Sequence, residues 1–143
     1  MRVLLTGVTG YVGRRLLLVL LEQNHEVICC VRDKNRLDVS SSIRERIEVI
    51  ELDFLLKDSL DVIPKDIDAA YYLIHSMISS AKTFYEMESI CARNFSDYMG
   101  ETSVKQVIYL SGLMSFKKKL SDHLASRKNV EEILVSGNYE HTV

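Results

Sequence analysis

The sequence lacks the signatures of several protein classes, and each absence narrows what the chain can be. Its three cysteines form no CxxC pair, and its four histidines lack the spacing of metal ligands. The net charge is −2, and the only basic run is 117–119, so no basic field favours nucleic acid. The longest wholly aliphatic run, 16–21, is far too short to span a bilayer. We therefore expect no metal site, no nucleic-acid partner and no membrane span.

Other absences bear on the compartment. The N-terminus is not a signal peptide, because glycines and the Arg14-Arg15 pair interrupt its apolar stretch. The sequence has no internal repeats and no low-complexity segment. Cys29 and Cys30 are adjacent in an apolar run, which indicates small core residues in a reducing compartment. A cytoplasmic location is the default expectation.

The 143 residues, 47% of them hydrophobic, suffice for one domain with a core.

The most informative segment is a glycine motif between an apolar strand and an apolar helix. Gly7-x-x-Gly10-x-x-Gly13 follows residues 2–6 and precedes residues 14–18. This order places free backbone N–H groups and a positive helix N-terminus where a diphosphate can bind. Gly7 permits the tight turn, Gly10 lets a phosphate approach, and Gly13 lets the helix pack closely. An ordinary glycine-rich turn is the alternative, but the flanking elements favour a dinucleotide-binding Rossmann unit.

We expect the cofactor to contact residues throughout this motif. These are Thr6, Gly7, Thr9, Gly10, Tyr11, Val12 and Gly13.

Strand and helix patterns alternate along the rest of the chain. Strands are predicted at 2–6, 26–31, 47–52, 67–74, 105–111 and, as a beginning, 139–143. Helices are predicted at 11–23, 80–100 and 122–136, with a short helical turn at 57–62. Asn24 is a plausible C-terminal cap of the first helix. The apolar stripe of the long helix, from Phe84 to Met99, indicates core packing.

Apolar strands separated by helices predict an α/β fold, a doubly wound parallel sheet covered on both faces. Right-handed crossovers give the strand order 3-2-1-4-5, with a truncated sixth strand. Residues 1–143 then form one NAD(P)-binding Rossmann domain. Because the chain stops as the sixth strand begins, we expect the N-terminal part of a longer protein, with a short natural domain as the alternative.

The residues after strand two bear on the choice of cofactor. An acidic residue there accepts hydrogen bonds from the adenosine ribose and favours NAD. This chain has Arg32, whose planar guanidinium suits a 2′-phosphate, so NADP is favoured. Asp33 keeps NAD open, and a solvated loop cation is the alternative interpretation of Arg32.

Two further strand ends supply candidate cofactor contacts. Asp53, followed by Phe54, comes after strand three, where a carboxylate can accept from the adenine amine. A helix N-cap is the competing interpretation of Asp53. His75 follows strand four at the edge that lines the crevice, where it either contacts phosphate or ribose or is a satisfied buried histidine.

Five segments together show a family resemblance. They are 6–13 (TGVTGYVG), 31–33 (VRD), 52–53 (LD), 72–77 (YLIHSM) and 109–113 (YLSGL). They resemble the atypical and extended short-chain dehydrogenase/reductases, most nearly the NmrA-like and nucleoside-diphosphate-sugar-epimerase-like NAD(P)-binding proteins. The resemblance covers essentially the whole chain, and the last two strings are typical of one bacterial subgroup.

The resemblance also implies catalytic positions, from which this sequence departs. The superfamily has a Ser or Thr after strand five, matched by Ser111, and a Tyr-x-x-x-Lys pair on the next helix. Here His123 and Arg127 occupy those two positions, and Glu131 falls where the family often has a glutamate. His123 can transfer a proton and Arg127 can bind ribose or phosphate. The alternative is that both are surface helix residues. Asn94 matches a polar position that supports the family's active site, or else faces solvent.

Two functional hypotheses follow from the sequence. The first is an NADP-dependent oxidoreductase or sugar-epimerase-like enzyme acting on an unknown small molecule, with Ser111 and His123 polarising or protonating a carbonyl. The second is a non-catalytic NADP-binding sensor or assembly module of the NmrA-like type. An uncovered apolar edge at strand five also predicts self-association.

Overall fold

The computed structural model describes residues 1–75, 81–112 and 121–143. The strands are β1 Arg2–Thr6, β2 Glu26–Val31, β3 Ile47–Glu51, β4 Ala69–Tyr72, β5 Gln106–Tyr109 and β6 Glu140–Thr142. The helices are α1 Tyr11–Glu22, α2 Ser41–Arg44, α3 Ala81–Gly100 and α4 Asp122–Val135, with 3-10 turns at Lys34–Arg36 and Lys57–Val62. The predicted helix start at Ser80 and the basic run 117–119 lie outside the described residues.

The strands form one parallel sheet in the order β3-β2-β1-β4-β5-β6. This confirms the predicted α/β fold and its central order. In such a sheet the strand order reverses beside β1, where β1 has β2 on one side and β4 on the other. A crevice therefore opens at the carboxyl ends of β1 and β4.

The core lies on both faces of the sheet, as continuous apolar strands require. Val3 and Leu5 of β1 pack with α1 on one face, while Leu4 points into the second cluster, which includes residues of α3 and α4. All three cysteines are buried and free, which confirms the prediction that they are core residues. Most of the α3 stripe is also core, but Ile90 is exposed and Met87 is only half-buried.

Helix α1 ends as the sequence indicates. Asn24 adopts a left-handed conformation (φ 58°) just after the C-cap Gln23. The N–H of Asn24 donates to the Leu21 carbonyl and that of His25 donates to the Leu20 carbonyl, which is a Schellman motif. This closing turn leads directly into β2.

Strand β4 spans four residues of the predicted 67–74, and one side chain accounts for its C-terminal end. The N–H of Leu73 donates to Oγ1 of Thr6 (2.9 Å), and that hydroxyl donates to the Tyr71 carbonyl (3.0 Å). The threonine hydroxyl therefore replaces a backbone partner where β4 separates from β1. The 3-10 turn Lys34–Arg36 and helix α2 were not predicted, because elements of three and four residues carry no readable periodicity.

The outer edge of the sheet also differs from expectation. Strand β5 is not an open edge, because β6 pairs with it along Gln106–Ile108. Among the described residues the outermost strand on this side is β6, whose residues Glu140, His141 and Thr142 are all exposed and none apolar. Within the described ranges, no helix is long and apolar enough to cross a bilayer.

Candidate functional site

The turn between β1 and α1 brings the ends of β1 and β4 and the start of α1 together. Gly7 has φ +65°, and a Cβ there would lie 2.3 Å from the carbonyl oxygen of Leu73, so this position requires glycine. A Cβ at Gly13 would lie 2.3 Å from the Gly7 oxygen, so α1 packs directly on the turn. The Gly10 N–H donates to the Gly7 carbonyl (3.0 Å), which closes the turn.

The N-terminus of α1 is open to an anion. Gly10 is its N-cap, no side chain of the described residues caps it, and its first turn carries no acidic residue. The leading N–H groups of a helix have no partner within the helix, and the macrodipole gives them positive potential. Gly10 is exposed, and a Cβ there would meet only the Gly7 oxygen, at 3.3 Å. The approach to these N–H groups is therefore unobstructed.

A cleft of about 230 Å³ starts at this turn and runs across the carboxyl ends of the first four strands. Its floor is largely apolar and includes one face of α3. The lining residues are Gly7, Thr9, Gly10, Cys30, Val31, Arg32, Leu52, Asp53, Phe54, Leu55, Leu73, Ile74, His75, Met87 and Cys91.

Arg32 is exposed at the β2 end of the cleft. It forms no ion pair with any residue that the structure describes. The neighbouring Asp33 is committed to the backbone, because its Oδ1 accepts from the Asn35 N–H (2.9 Å). Glu51, which pairs in register with Val31, accepts from the Lys34 N–H through Oε2 (2.8 Å).

Asp53 lies at the β3 end of the cleft. Its Oδ1 accepts from the Leu55 N–H (3.0 Å), so the carboxylate closes a local turn. The following 3-10 turn has Leu56 as its N-cap, without a side-chain hydrogen bond, so Asp53 is not its N-cap. Asn94 of α3 holds the same segment by donating to the Phe54 carbonyl (2.8 Å).

The two thiols in the cleft are part of its apolar floor. The pKa of Cys91 is raised to about 11. Burial is the main cause and nearby Asp53 adds to it, while Arg32 lowers the pKa. Burial likewise raises the pKa of Cys30. A neutral thiol is neither a nucleophile nor a metal ligand. Among the described residues, no group of His, Cys, Asp and Glu is placed to hold a metal ion.

His75 borders the cleft two residues beyond Leu73, the neighbour of Gly7. Desolvation lowers the pKa of its imidazole, the Arg127 guanidinium lowers it further, and the Glu88 carboxylate raises it. His75 is therefore neutral near pH 7. An anion bound beside it would favour the protonated form.

The candidate catalytic residues lie where β5 meets α4. The Ser111 hydroxyl donates to Oε2 of Glu131 (2.8 Å). A carboxylate only accepts, so Ser111 is left with acceptor capacity toward any ligand. The backbone at Gly112 packs closely against Leu124 and Arg127.

His123 points elsewhere. It is exposed, and its ring lies edge-on to Phe84 with the centroids 5.4 Å apart. Within the described parts of the chain, no hydrogen bond joins His123 to Ser111 or Arg127. One turn further on, α4 contacts α3 through a buried polar pair, because the Ser126 hydroxyl donates to Oε2 of Glu88 (2.5 Å).

Comparison with protein families identifies the family of the chain. A model of the family described as NAD(P)H-binding matches residues 7–141, nearly the whole chain. The chain belongs to the NAD(P)H-binding family. No curated protein matches the chain.

Solved structures share the fold of this NAD(P)H-binding chain. A short-chain dehydrogenase/reductase superfamily protein from Agrobacterium tumefaciens with bound NAD matches over 99% of this chain and 47% of its own, at 16% identity and TM-score 0.78. A nucleoside-diphosphate-sugar epimerase from Staphylococcus aureus matches over 99% and 48%, at 17% identity and TM-score 0.78. UDP-glucuronic acid 4-epimerase from Bacillus cereus in complex with NAD matches over 93% and 50%, at 18% identity and TM-score 0.71. The chain spans about half the length of these proteins.

The cleft of this NAD(P)H-binding chain brings together only some of the predicted site residues. Those that line it are Gly7, Thr9, Gly10, Arg32, Asp53, Phe54 and His75. Thr6 lies beneath the turn, fully buried, and its hydroxyl is used within the sheet. Tyr11, Val12 and Gly13 belong to the first turn of α1 and offer backbone rather than cleft-facing side chains.

The sequence analysis missed the apolar floor. Met87 and Cys91 belong to the α3 stripe that was assigned to the core, and Cys30 belongs to a buried strand. Met87 and Cys91 are four residues apart on α3 and therefore lie on one face of the helix. No signal in the sequence showed that the upper end of that face is open to the cleft.

Proposed function

We propose that the cleft binds NADP, with the diphosphate on the β1–α1 turn and the 2′-phosphate at Arg32. The observation that carries this proposal is the uncapped N-terminus of α1, which opens onto a cleft that extends to an arginine without an ion-pair partner in the described chain. Membership of the NAD(P)H-binding family supports a nicotinamide cofactor of either kind. Arg32 is the reason to favour NADP, since a guanidinium binds a phosphate through two oxygens.

The adenine would lie between Asp53 and the apolar floor. Oδ1 of Asp53 is used by the Leu55 N–H, and the second oxygen remains to accept from an adenine amine. Phe54, Met87 and Cys91 offer apolar contact beside it. His75 would lie near the diphosphate, because Leu73 contacts the glycine turn.

The activity that we propose is that of an NADP-dependent oxidoreductase or sugar-epimerase-like enzyme. Two of the structures that share the fold are named as sugar epimerases. When bound, the nicotinamide supplies hydride chemistry, and the chain supplies orientation and a proton. Arg127, beside the end of β5, would hold ribose, and His123 would move the proton. Because Ser111 donates to Glu131, its oxygen would accept from the hydroxyl of the alcohol that forms when a carbonyl is reduced.

One observation favours a second candidate, a non-catalytic NADP-binding module. His123 stands in place of the family's tyrosine, yet it is exposed and packs against Phe84, with no contact to Ser111 in the described structure. Such a protein needs the glycine turn and Arg32 and does not need an acid–base group.

Titration calorimetry with NADPH and NADH tests the cofactor assignment. We expect tighter binding of NADPH, and a loss of about 1.5–3 kcal/mol of NADPH affinity in Arg32→Ala, since a charge-assisted contact is removed. Arg36→Ala is the matched control, because it removes an equal charge from the same loop outside the cleft lining. Equal affinities for the two nucleotides would overturn the NADP assignment.

Consumption of NADPH with a panel of carbonyl compounds separates the two candidates. An enzyme that uses His123 loses turnover in His123→Ala and keeps its NADPH affinity. Turnover that is unchanged in this variant would remove His123 from the mechanism. A bound but unconsumed cofactor across the panel supports the non-catalytic module.

A further inference from the structure

The loop after β2 is held by two carboxylates on successive N–H groups. Oε2 of Glu51 accepts from Lys34, and Oδ1 of Asp33 accepts from Asn35. Hydrogen bonds to ionised acceptors are about twice as strong as neutral ones. The N–H of Arg36 also donates to the Asp33 carbonyl (3.2 Å), so the loop is bonded at three consecutive positions.

Glu51 reaches this loop from the neighbouring strand. It is the last residue of β3 and pairs in register with Val31, the last residue of β2. The hydrogen bond from the Lys34 N–H to Glu51 therefore ties the loop that contains Arg32 to the end of β3. Asp33 by contrast acts within its own turn.

This arrangement has a consequence for charge. Asp33 and Glu51 each bind a backbone N–H of this loop, whereas Arg32 forms no ion pair within the described residues. A carboxylate that accepts from the backbone competes less for the guanidinium. The positive charge that Arg32 presents to the cleft is therefore not neutralised by these two carboxylates.

We propose that Glu51 is a positioning residue that sets the preference for NADPH over NADH, by holding the Arg32 loop through the Lys34 N–H. This inference rests on the proposed binding of NADP at Arg32. Glu51 does not contact the cofactor, since it is absent from the residues that line the cleft.

The ratio of NADPH to NADH affinity is the measurement, because the two ligands differ only in the 2′-phosphate. We compare Glu51→Ala with Glu51→Gln, which lose the same charge, while only the glutamine keeps an acceptor for the Lys34 N–H. We expect the ratio to fall about tenfold in Glu51→Ala, and to stay at or above the wild-type ratio in Glu51→Gln. A loss of general stability would weaken both nucleotides alike and leave the ratio unchanged.

A second pair of variants removes the donor instead. Lys34→Pro deletes the N–H at the first position of a 3-10 turn, and Asp33 before it is already extended (φ −151°, ψ 114°), as proline requires. Lys34→Ala loses the same charge and keeps the N–H. We expect the ratio to fall in Lys34→Pro and not in Lys34→Ala.

The outcomes separate the inference from the function on which it rests. An unchanged ratio in both Glu51→Ala and Lys34→Pro overturns the inference, as does an equal fall in Glu51→Ala and Glu51→Gln. If Arg32→Ala lowers the ratio in the same experiments, the NADP assignment stands without Glu51. A wild-type ratio near one overturns both.

Discussion

At the scale of single residues, Thr6 determines how the cleft opens. Its buried hydroxyl donates to the Tyr71 carbonyl and accepts from the Leu73 N–H, exactly where a backbone partner would otherwise continue the sheet. Strand β4 can thus separate from β1 without leaving a buried N–H unpaired. That Thr6 contacts the cofactor stays a prediction, while its hydroxyl is used within the sheet.

Thr6→Val tests this role, because valine has the same shape and no hydroxyl. We expect the free energy of unfolding to fall by about 1–3 kcal/mol, since a buried N–H loses its acceptor. Urea denaturation measures the change. Thr6→Ser keeps the hydroxyl and should retain most of the stability. Equal losses in the two variants would mean that the hydroxyl has no such role.

His75 predicts a pH dependence of binding. Desolvation and Arg127 lower the pKa of its imidazole, and a diphosphate beside it would raise that pKa. Binding then takes up a proton, so affinity should strengthen as the pH falls through the raised pKa of the bound form towards the lowered pKa of the free form. NAD⁺ is the probe, because its diphosphate does not titrate in this range. Calorimetry of His75→Gln should show no such trend, and a pH-independent affinity of the wild type would contradict the account.

At the scale of elements, α3 supports the cleft from below. Asn94 donates to the carbonyls of Phe54 (2.8 Å) and Leu55 (3.4 Å) and so holds the segment that carries Asp53. The alternatives for Asn94 were an active-site support or a solvent-facing residue. Its half-buried amide instead contacts the backbone beside the predicted adenine site.

Asn94→Ala should therefore lower both stability and nucleotide affinity. We expect about 1 kcal/mol of destabilisation for the lost hydrogen bonds and a measurable weakening of NADPH binding. Asn129→Ala is the matched control, because Asn129 also bridges to α3, through Ser89 (2.7 Å), away from the cleft. If both variants bind NADPH as the wild type does, Asn94 is only a core contact.

The elements also show what the sequence can predict. Strands β1 and β2 have the predicted bounds, because apolar runs next to the glycine motif and Asn24 mark their limits. The end of β4 could not be predicted, because it depends on a hydrogen bond between residues 67 positions apart. Similarly, the neighbours of Arg32 were visible in the sequence, but the bond of Glu51 to the Lys34 N–H arises only when β2 and β3 pair.

At the scale of the whole chain, the expected self-association moves from β5 to β6, the outermost described strand on that side. This strand has three residues and is polar, so we expect strand addition to it to be weak. We expect a monomer–dimer equilibrium visible only at high concentration by sedimentation, and weakened by His141→Lys. A purely monomeric wild type across that range would rule out association through this edge.

The central claim is that the β1–α1 turn binds the diphosphate of a nicotinamide dinucleotide, and calorimetry of Gly10→Asp with NADPH tests it most directly. A side chain at Gly10 meets only the Gly7 oxygen, so the fold should survive while a carboxylate occupies the phosphate position. Gly100→Asp adds the same charge at a site with nothing within 4 Å and serves as the control. The account predicts saturable NADPH binding in the wild type and in Gly100→Asp, and none in Gly10→Asp. Wild-type affinity in a folded Gly10→Asp variant would contradict it.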